Sequence, residues 1–221
     1  MIKEECPVQI TAGNVILDGS LCIPEEAKGV TAFAHGSGSS RHSPRNQYVA
    51  RVLRHAGLAT LLFDLLTAEE EAEDIETARL RFNIRLLAQR LIAATDWLKD
   101  NAGTRKLGIG YFGASTGAAA ALIAAAERPD IVAAIVSRGG RPDLAGKVLP
   151  RVKAPTLLIV GGHDFPVIEI NQEALAKLNV EKELAVVPGA THLFEEPGAL
   201  DEVAKLAASW FISHLSGKAK R

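Results

Sequence analysis

Three residues spaced far apart in this chain have the types that activate an alcohol for attack on an acyl carbon. Ser115 stands in Gly113-Ala114-Ser115-Thr116-Gly117, a G-x-S-x-G pentapeptide between a short apolar run (Leu107 to Phe112) and an alanine-rich segment of high helix propensity. Strand, sharp turn and helix in that order hold a serine at the apex in a strained conformation, with its hydroxyl in the open. Gly113 and Gly117 let strand and helix approach closely, and the helix N-terminus then lies where negative charge develops. A serine hydroxyl is a weak nucleophile at neutral pH and needs a base, which in turn needs a group to orient it. Both types follow downstream. Asp164 closes Gly161-Gly162-His163-Asp164 after the apolar run Pro155 to Val160, and His192 closes Pro188-Gly189-Ala190-Thr191-His192 after Leu184 to Val187.

Each of these has a competing reading. Ser115 could simply cap a helix, as serines often do. Gly108, Gly110 and Gly113 also spell the dinucleotide fingerprint G-x-G-x-x-G, but Thr104-Arg105-Lys106 precede them instead of an apolar strand, and the first two glycines fall inside the strand itself. Asp64 also follows an apolar run and competes with Asp164 as the orienting acid; as a structural carboxylate it would bond loop backbone instead. His35, in the loop His35-Gly36-Ser37-Gly38-Ser39-Ser40, either braces that loop or touches substrate. His42 and His163 read as solvated loop histidines, and His55 and His214 lie on helices without a partner pattern.

The elements that must position these residues alternate along the chain. Val8 to Ile10 and Val15 to Ile23 read as a hairpin about Gly13-Asn14. Val30 to Ala34, Leu58 to Leu66, Leu107 to Phe112, Ile131 to Val136, Pro155 to Val160 and Leu184 to Val187 read as buried strands. Tyr48 to Leu53, a stripe from Leu80 to Leu98, the alanine-rich segment and Leu200 to Phe211 read as helices. Glu69 to Glu73 reads as a solvated loop or first helical turn. The pattern predicts an α/β fold: a mostly parallel sheet of about seven to eight strands, helices on both faces and an N-terminal antiparallel hairpin. Ligands bind such sheets at the carboxyl ends of the strands. His35, Ser115, Arg138, Asp164 and His192 all stand just past strand C-termini, so one rim collects the polar groups.

The chain of 221 residues reads as one domain, 1–221, and its 48% hydrophobic content suits a complete core. A net charge of −1 gives no electrostatic case for nucleic acid. No apolar stretch reaches membrane-spanning length and the start is charged, so a cytoplasmic protein with no membrane partner is expected. Cys6 and Cys22 flank the hairpin and read as strand residues, without metal-type spacing to histidine.

The order Ser115, Asp164, His192 resembles the α/β-hydrolase pattern over nearly the whole chain. G-A-S-T-G, G-G-H-D-F-P and G-A-T-H-L-F-E-E-P-G make it most similar to the dienelactone-hydrolase-like branch. That resemblance implies a triad of Ser115 nucleophile, His192 base and Asp164 acid, with the backbone N–H groups of Ser37 and Thr116 as the oxyanion hole. It implies no cofactor and no metal. Dienelactone hydrolases use a cysteine nucleophile, where this chain has Ser115, and a glutamate at the oxyanion-loop position that Ser37 occupies here. Both departures point to a serine esterase for small or water-soluble carboxylic esters. Acyl transfer by the same triad and a non-catalytic small-ligand module are the alternatives. The short Gly139 to Ala154 segment leaves no room for a cap domain. Phe165 and Phe194 beside the acid and base, together with His35, Arg41 and Arg138, are the candidate substrate contacts. Arg41, Arg45, Arg138 and Arg141 all lie in rim loops, so one or two of them, Arg138 first, could hold an anionic group; otherwise they pair with Glu69–Glu73 or with Glu195 and Glu196. A monomer or a homodimer is expected.

Overall fold

A computed structural model describes residues 5–216. The hairpin strands β1 (Cys6–Ala12) and β2 (Val15–Cys22) pair antiparallel, Ala12 opposite Val15, about a turn in which Gly13 takes φ 67°. Next come β3 (Val30–Ala34), β4 (Ala59–Phe63), β5 (Ile109–Ala114), β6 (Val132–Arg138), β7 (Thr156–Gly161) and β8 (Lys182–Val187). One eight-stranded sheet results, in the order β1-β2-β4-β3-β5-β6-β7-β8; the six strands from β3 to β8 are mutually parallel and β2 joins them antiparallel through β4. The central strands are buried on both faces, which is why they read as unbroken apolar runs such as ATLLF and VAAIVS rather than as alternating ones.

The helices are α1 (Pro44–His55), α2 (Ala68–Thr77), α3 (Ile84–Asp100), α4 (Thr116–Glu127), α5 (Phe165–Lys177) and α6 (Ala199–Leu215). One core lies on the face of α3 and α4, around Leu91, Tyr111 and Leu122; the other lies under α1 and α6, around Leu53, Phe112 and Phe211. Gly110 belongs to this packing and not to a nucleotide turn: a Cβ there would stand 2.6 Å from the Phe211 ring, so the glycine lets α6 lie close on β5.

Several boundaries differ from the sequence reading, each for a local reason. The Leu80–Leu98 stripe begins its helix only at Ile84, because the Asp74 carboxylate accepts the N–H groups of Leu80 (2.6 Å) and Arg81 (3.1 Å) and Asn83 caps α3. The acidic run lies in a full helix, α2, opened by a capping box in which Thr67 and Glu70 exchange bonds. Cys6 pairs across the hairpin with Leu21, one position off Cys22; Cys6 is exposed, Cys22 is buried, and they form no disulfide. Pro142–Arg151 forms a short 3₁₀ segment, kinked at Gly146 and packed against α4 and α5. Among the described residues no helix is long and apolar enough to cross a membrane.

Candidate active site

The parallel strands end on one rim, and the loops leaving them build the site. At the end of β5, Ser115 takes φ 50° and ψ −120°, a conformation that a non-glycine residue holds only where its surroundings impose it. Its N–H donates to the Arg138 carbonyl (3.2 Å), while its own carbonyl accepts from Ala118 and Arg141 (both 3.1 Å). The hydroxyl does not cap α4, so the bland reading of this serine does not describe its role in the helix. The close approach that the pentapeptide requires is present. A Cβ on Gly113 would lie 2.5 Å from the Ala118 Cα, and one on Gly117 would run into the carbonyls of Ala34 and His35.

Gly36 brings the loop after β3 against the serine: a Cβ there would be 3.1 Å from the Ser115 Cβ. The next residue, Ser37, is exposed, and Thr116 opens α4, so the Thr116 N–H has no partner within the helix. His35 braces this loop. The Leu65 N–H donates to its Nε2 (3.0 Å), which places the ring proton on Nδ1, facing the Gly36 carbonyl at 3.0 Å. Burial holds the pKa of His35 below its ordinary value, against the opposing pull of the Gly36 carbonyl, Asp64 and Glu71, so the ring is neutral.

On the other side of Ser115, His192 Nδ1 lies 2.6 Å from Asp164 Oδ2, with the aspartate largely buried and the imidazole 40% exposed. This bond puts the proton on Nδ1 and leaves Nε2 as the basic nitrogen. Asp164 sits at the N-cap of α5 without spending its side chain there. Gly139 (φ 51°) underlies the ring: a Cβ there would be 3.4 Å from His192 Cε1. The Arg138-Gly139 step therefore touches Ser115 through a hydrogen bond and His192 through packing.

The remaining candidates divide. Arg41 is tied to Asp64, by its N–H at 2.7 Å and by its guanidinium, so its charge is engaged away from the serine. Phe194 (φ 55°) turns its ring into the α1/α6 core, 1% exposed, so this ring does not face substrate as expected. Phe165 is 65% exposed beside His163. Arg138 is buried, and no ion pair reaches it among the described residues. The sequence reading missed Arg81, which lines a narrow cleft beside loop 35–39 with Asp64, Leu65 and Asp74. Its Nε donates to Asp74 Oδ2 (2.5 Å) and its Nη2 to the Asp74 carbonyl (2.7 Å). The T-A-E-E motif at Thr67 could have marked α2 and drawn attention to this wall.

The sheet order, the helices on both faces and the serine elbow at the end of β5 define an α/β hydrolase. More narrowly, residues 17–213 match the dienelactone hydrolase family, and the chain belongs to that family. It is similar to a crystal structure of a dienelactone hydrolase from Anabaena variabilis (62% identity, TM-score 0.95, covering 96% of this chain and 98% of the other). The fold is shared with the Butyrivibrio proteoclasticus protein Est1E (16% identity, TM-score 0.78, covering 94% and 98%). A Mycobacterium tuberculosis protein carrying the provisional name phosphoribosyl transferase is 60% identical over 210 residues, which are 95% of this chain and 46% of that one. The chain thus spans about half the length of the curated relatives it matches.

Proposed function

We propose that this protein is a serine carboxylic-ester hydrolase working through an acyl-enzyme. The observation that carries the reading is the 2.6 Å His192–Asp164 bond on the same rim as a serine whose strained conformation keeps it from capping its helix. Ser115 Oγ attacks the ester carbon while His192 Nε2 takes its proton. Asp164 holds the Nδ1–H tautomer and stabilises the imidazolium. The proton then passes to the departing alcohol, and water repeats the sequence to release the acid. The Thr116 and Ser37 N–H groups receive the oxyanion, on a loop that His35 fixes through Leu65 and Gly36. Ser115 stands where dienelactone hydrolases carry cysteine and Ser37 where they carry glutamate, so dienelactone itself is not the assigned substrate.

The name phosphoribosyl transferase belongs to a chain more than twice as long as the matched segment. That segment is the part aligned with this hydrolase fold, so we assign ester hydrolysis to it. The 3₁₀ segment at Pro142–Arg151 lies packed down on α4 and α5, which favours short or water-soluble esters over long-chain lipids. The deciding experiment is fluorophosphonate labelling with peptide mapping, on wild type and on His192→Ala. One adduct on Ser115, formed far more slowly without His192, is expected; no adduct on folded protein overturns the assignment. A rate on p-nitrophenyl palmitate exceeding that on the acetate would contradict the preference for short esters.

A further inference from the structure

One buried side chain ties helix α5 to the rim of the site. Asn171 is 0% exposed and stands on the inner face of α5 with Val167 and Ala174. Its Nδ2 donates to the carbonyl of Val167 in its own helix (2.7 Å) and to that of Gly140 in the loop after β6 (3.0 Å). Both neighbours are acceptors, so the amide can face them only with its NH₂ group. Its Oδ1 is buried with no hydrogen-bond partner among the described residues. Leaving half an amide unpaired in the interior is unfavourable, and an apolar side chain between Val167 and Ala174 would avoid it. The amide is thus the less stable choice at this position, and what it grips is the loop between the serine and the histidine.

Each residue of that loop, 138–141, meets a part of the site. The Arg138 carbonyl accepts the Ser115 N–H (3.2 Å), and the Arg141 N–H returns to the Ser115 carbonyl (3.1 Å). Between them, Gly139 underlies the His192 ring and donates its N–H to the Ile159 carbonyl in β7 (2.8 Å). Gly140 is pressed onto the end of β6 and the first turn of α4: a Cβ there would stand 2.0 Å from Ser137 Oγ and 2.7 Å from the Ala118 Cβ. Its carbonyl is the handle by which Asn171 holds the loop. Asp164 is the N-cap of the same helix, about two turns before Asn171. Helix α5 therefore carries the acid at its start and, further along, the grip on the segment that seats nucleophile and base. We propose that Asn171 is a positioning residue: through Gly140 it fixes residues 138–141, and with them the placement of Ser115 against His192 and Asp164. This rests on the ester-hydrolase reading and adds to it a residue that acts only through the loop.

The test measures kcat and KM for 4-nitrophenyl acetate, the rate of Ser115 labelling by a fluorophosphonate, and the urea midpoint. The proteins are wild type, Asn171→Leu, Asn171→Ser and Ala174→Gly. Leucine has nearly the size of the amide and removes both bonds. Serine can still bond the carbonyl four residues back, that of Val167, but is too short to reach Gly140. Ala174→Gly weakens the same helix on the same buried face and leaves the amide in place. Both Asn171 variants should lose about 10- to 100-fold in kcat, with KM within about twofold, and label Ser115 more slowly by the same factor. Ala174→Gly should lower the urea midpoint and keep kcat. Wild-type kcat and labelling in either Asn171 variant, whatever its urea midpoint, overturn the positioning role and leave the hydrolase standing. An equal loss of kcat in Ala174→Gly overturns it as well, because the effect is then one of helix stability. No labelling of folded wild type removes the hydrolase reading and this role with it. If Asn171→Leu does not fold, Asn171→Ser decides by the same two rates.

Discussion

Asp64 after β4 and Asp164 after β7 occupy similar places on the same rim, and their surroundings set them apart. Asp64 accepts the Arg41 N–H at 2.7 Å and the Arg41 guanidinium, while its own N–H donates to the Asp18 carbonyl at 3.0 Å. It fastens the loop after β3 to the loop after β4. Asp164 meets an imidazole at 2.6 Å. A guanidinium keeps its proton throughout, so the Asp64 pair is a fixed strut. An imidazole held through Nδ1 keeps a second nitrogen free to accept a proton and pass it on, so the Asp164 pair is built to cycle with a reaction. Position on the rim admits many carboxylates to candidacy, and the partner decides between strut and machine.

Exchanging each carboxylate for its amide is the strongest way to break that contrast. Asp164→Asn should lower kcat by about 10,000-fold with little change in Tm. Asp64→Asn should keep most activity and lower stability to urea by about 1.5–3 kcal/mol, the worth of a bond to a charged partner. Equal losses of kcat would show that both aspartates serve the chemistry. A smaller effect should come from Gly139→Ala, where φ is 51° and the added methyl presses on His192. On the proposed mechanism, displacing the His192 ring should reduce kcat by about 100-fold and leave the Asp64 side intact; full activity would mean that the ring is not seated by this glycine.

The smallest effect belongs to the strut side. Because burial keeps His35 below its ordinary 6.5, the unfolded chain binds a proton that the folded protein refuses. The contribution of His35 is therefore complete above pH 6.5 and is lost as pH falls from there toward its folded value. His35→Gln keeps a donor and an acceptor without titrating, so its urea midpoint should change less between pH 7 and pH 5 than that of the wild type. Identical slopes would exclude His35 as the source.

The central strands and the serine elbow at the end of β5 were legible because they depend on local pattern: apolar runs and a glycine pentapeptide. What was not legible depends on partners remote in sequence. Nothing near Arg41 says that it meets Asp64 while Arg138, among the described residues, meets no carboxylate; that follows from which loops the sheet order makes neighbours. The start of α3 was misplaced because one carboxylate, Asp74, takes the N–H groups that would have continued the helix backwards. The inward turn of Phe194 hangs on a single positive φ that its sequence neighbours do not announce. Helix α5 was obscured because its buried face carries Asn171, whose amide bonds the Gly140 carbonyl at 3.0 Å, where an apolar stripe would have been recognised.

Helix α4, on which Ser115 rides, has alanine at seven of its twelve positions, and all seven are buried. A methyl has no rotamers to lose, so ordering this helix surrenders backbone entropy and almost no side-chain entropy. It also has few side-chain torsions through which to settle into a second arrangement. The foundation under the serine is thus held in place largely by the scarcity of alternatives, and little freedom remains there for thermal motion to exploit.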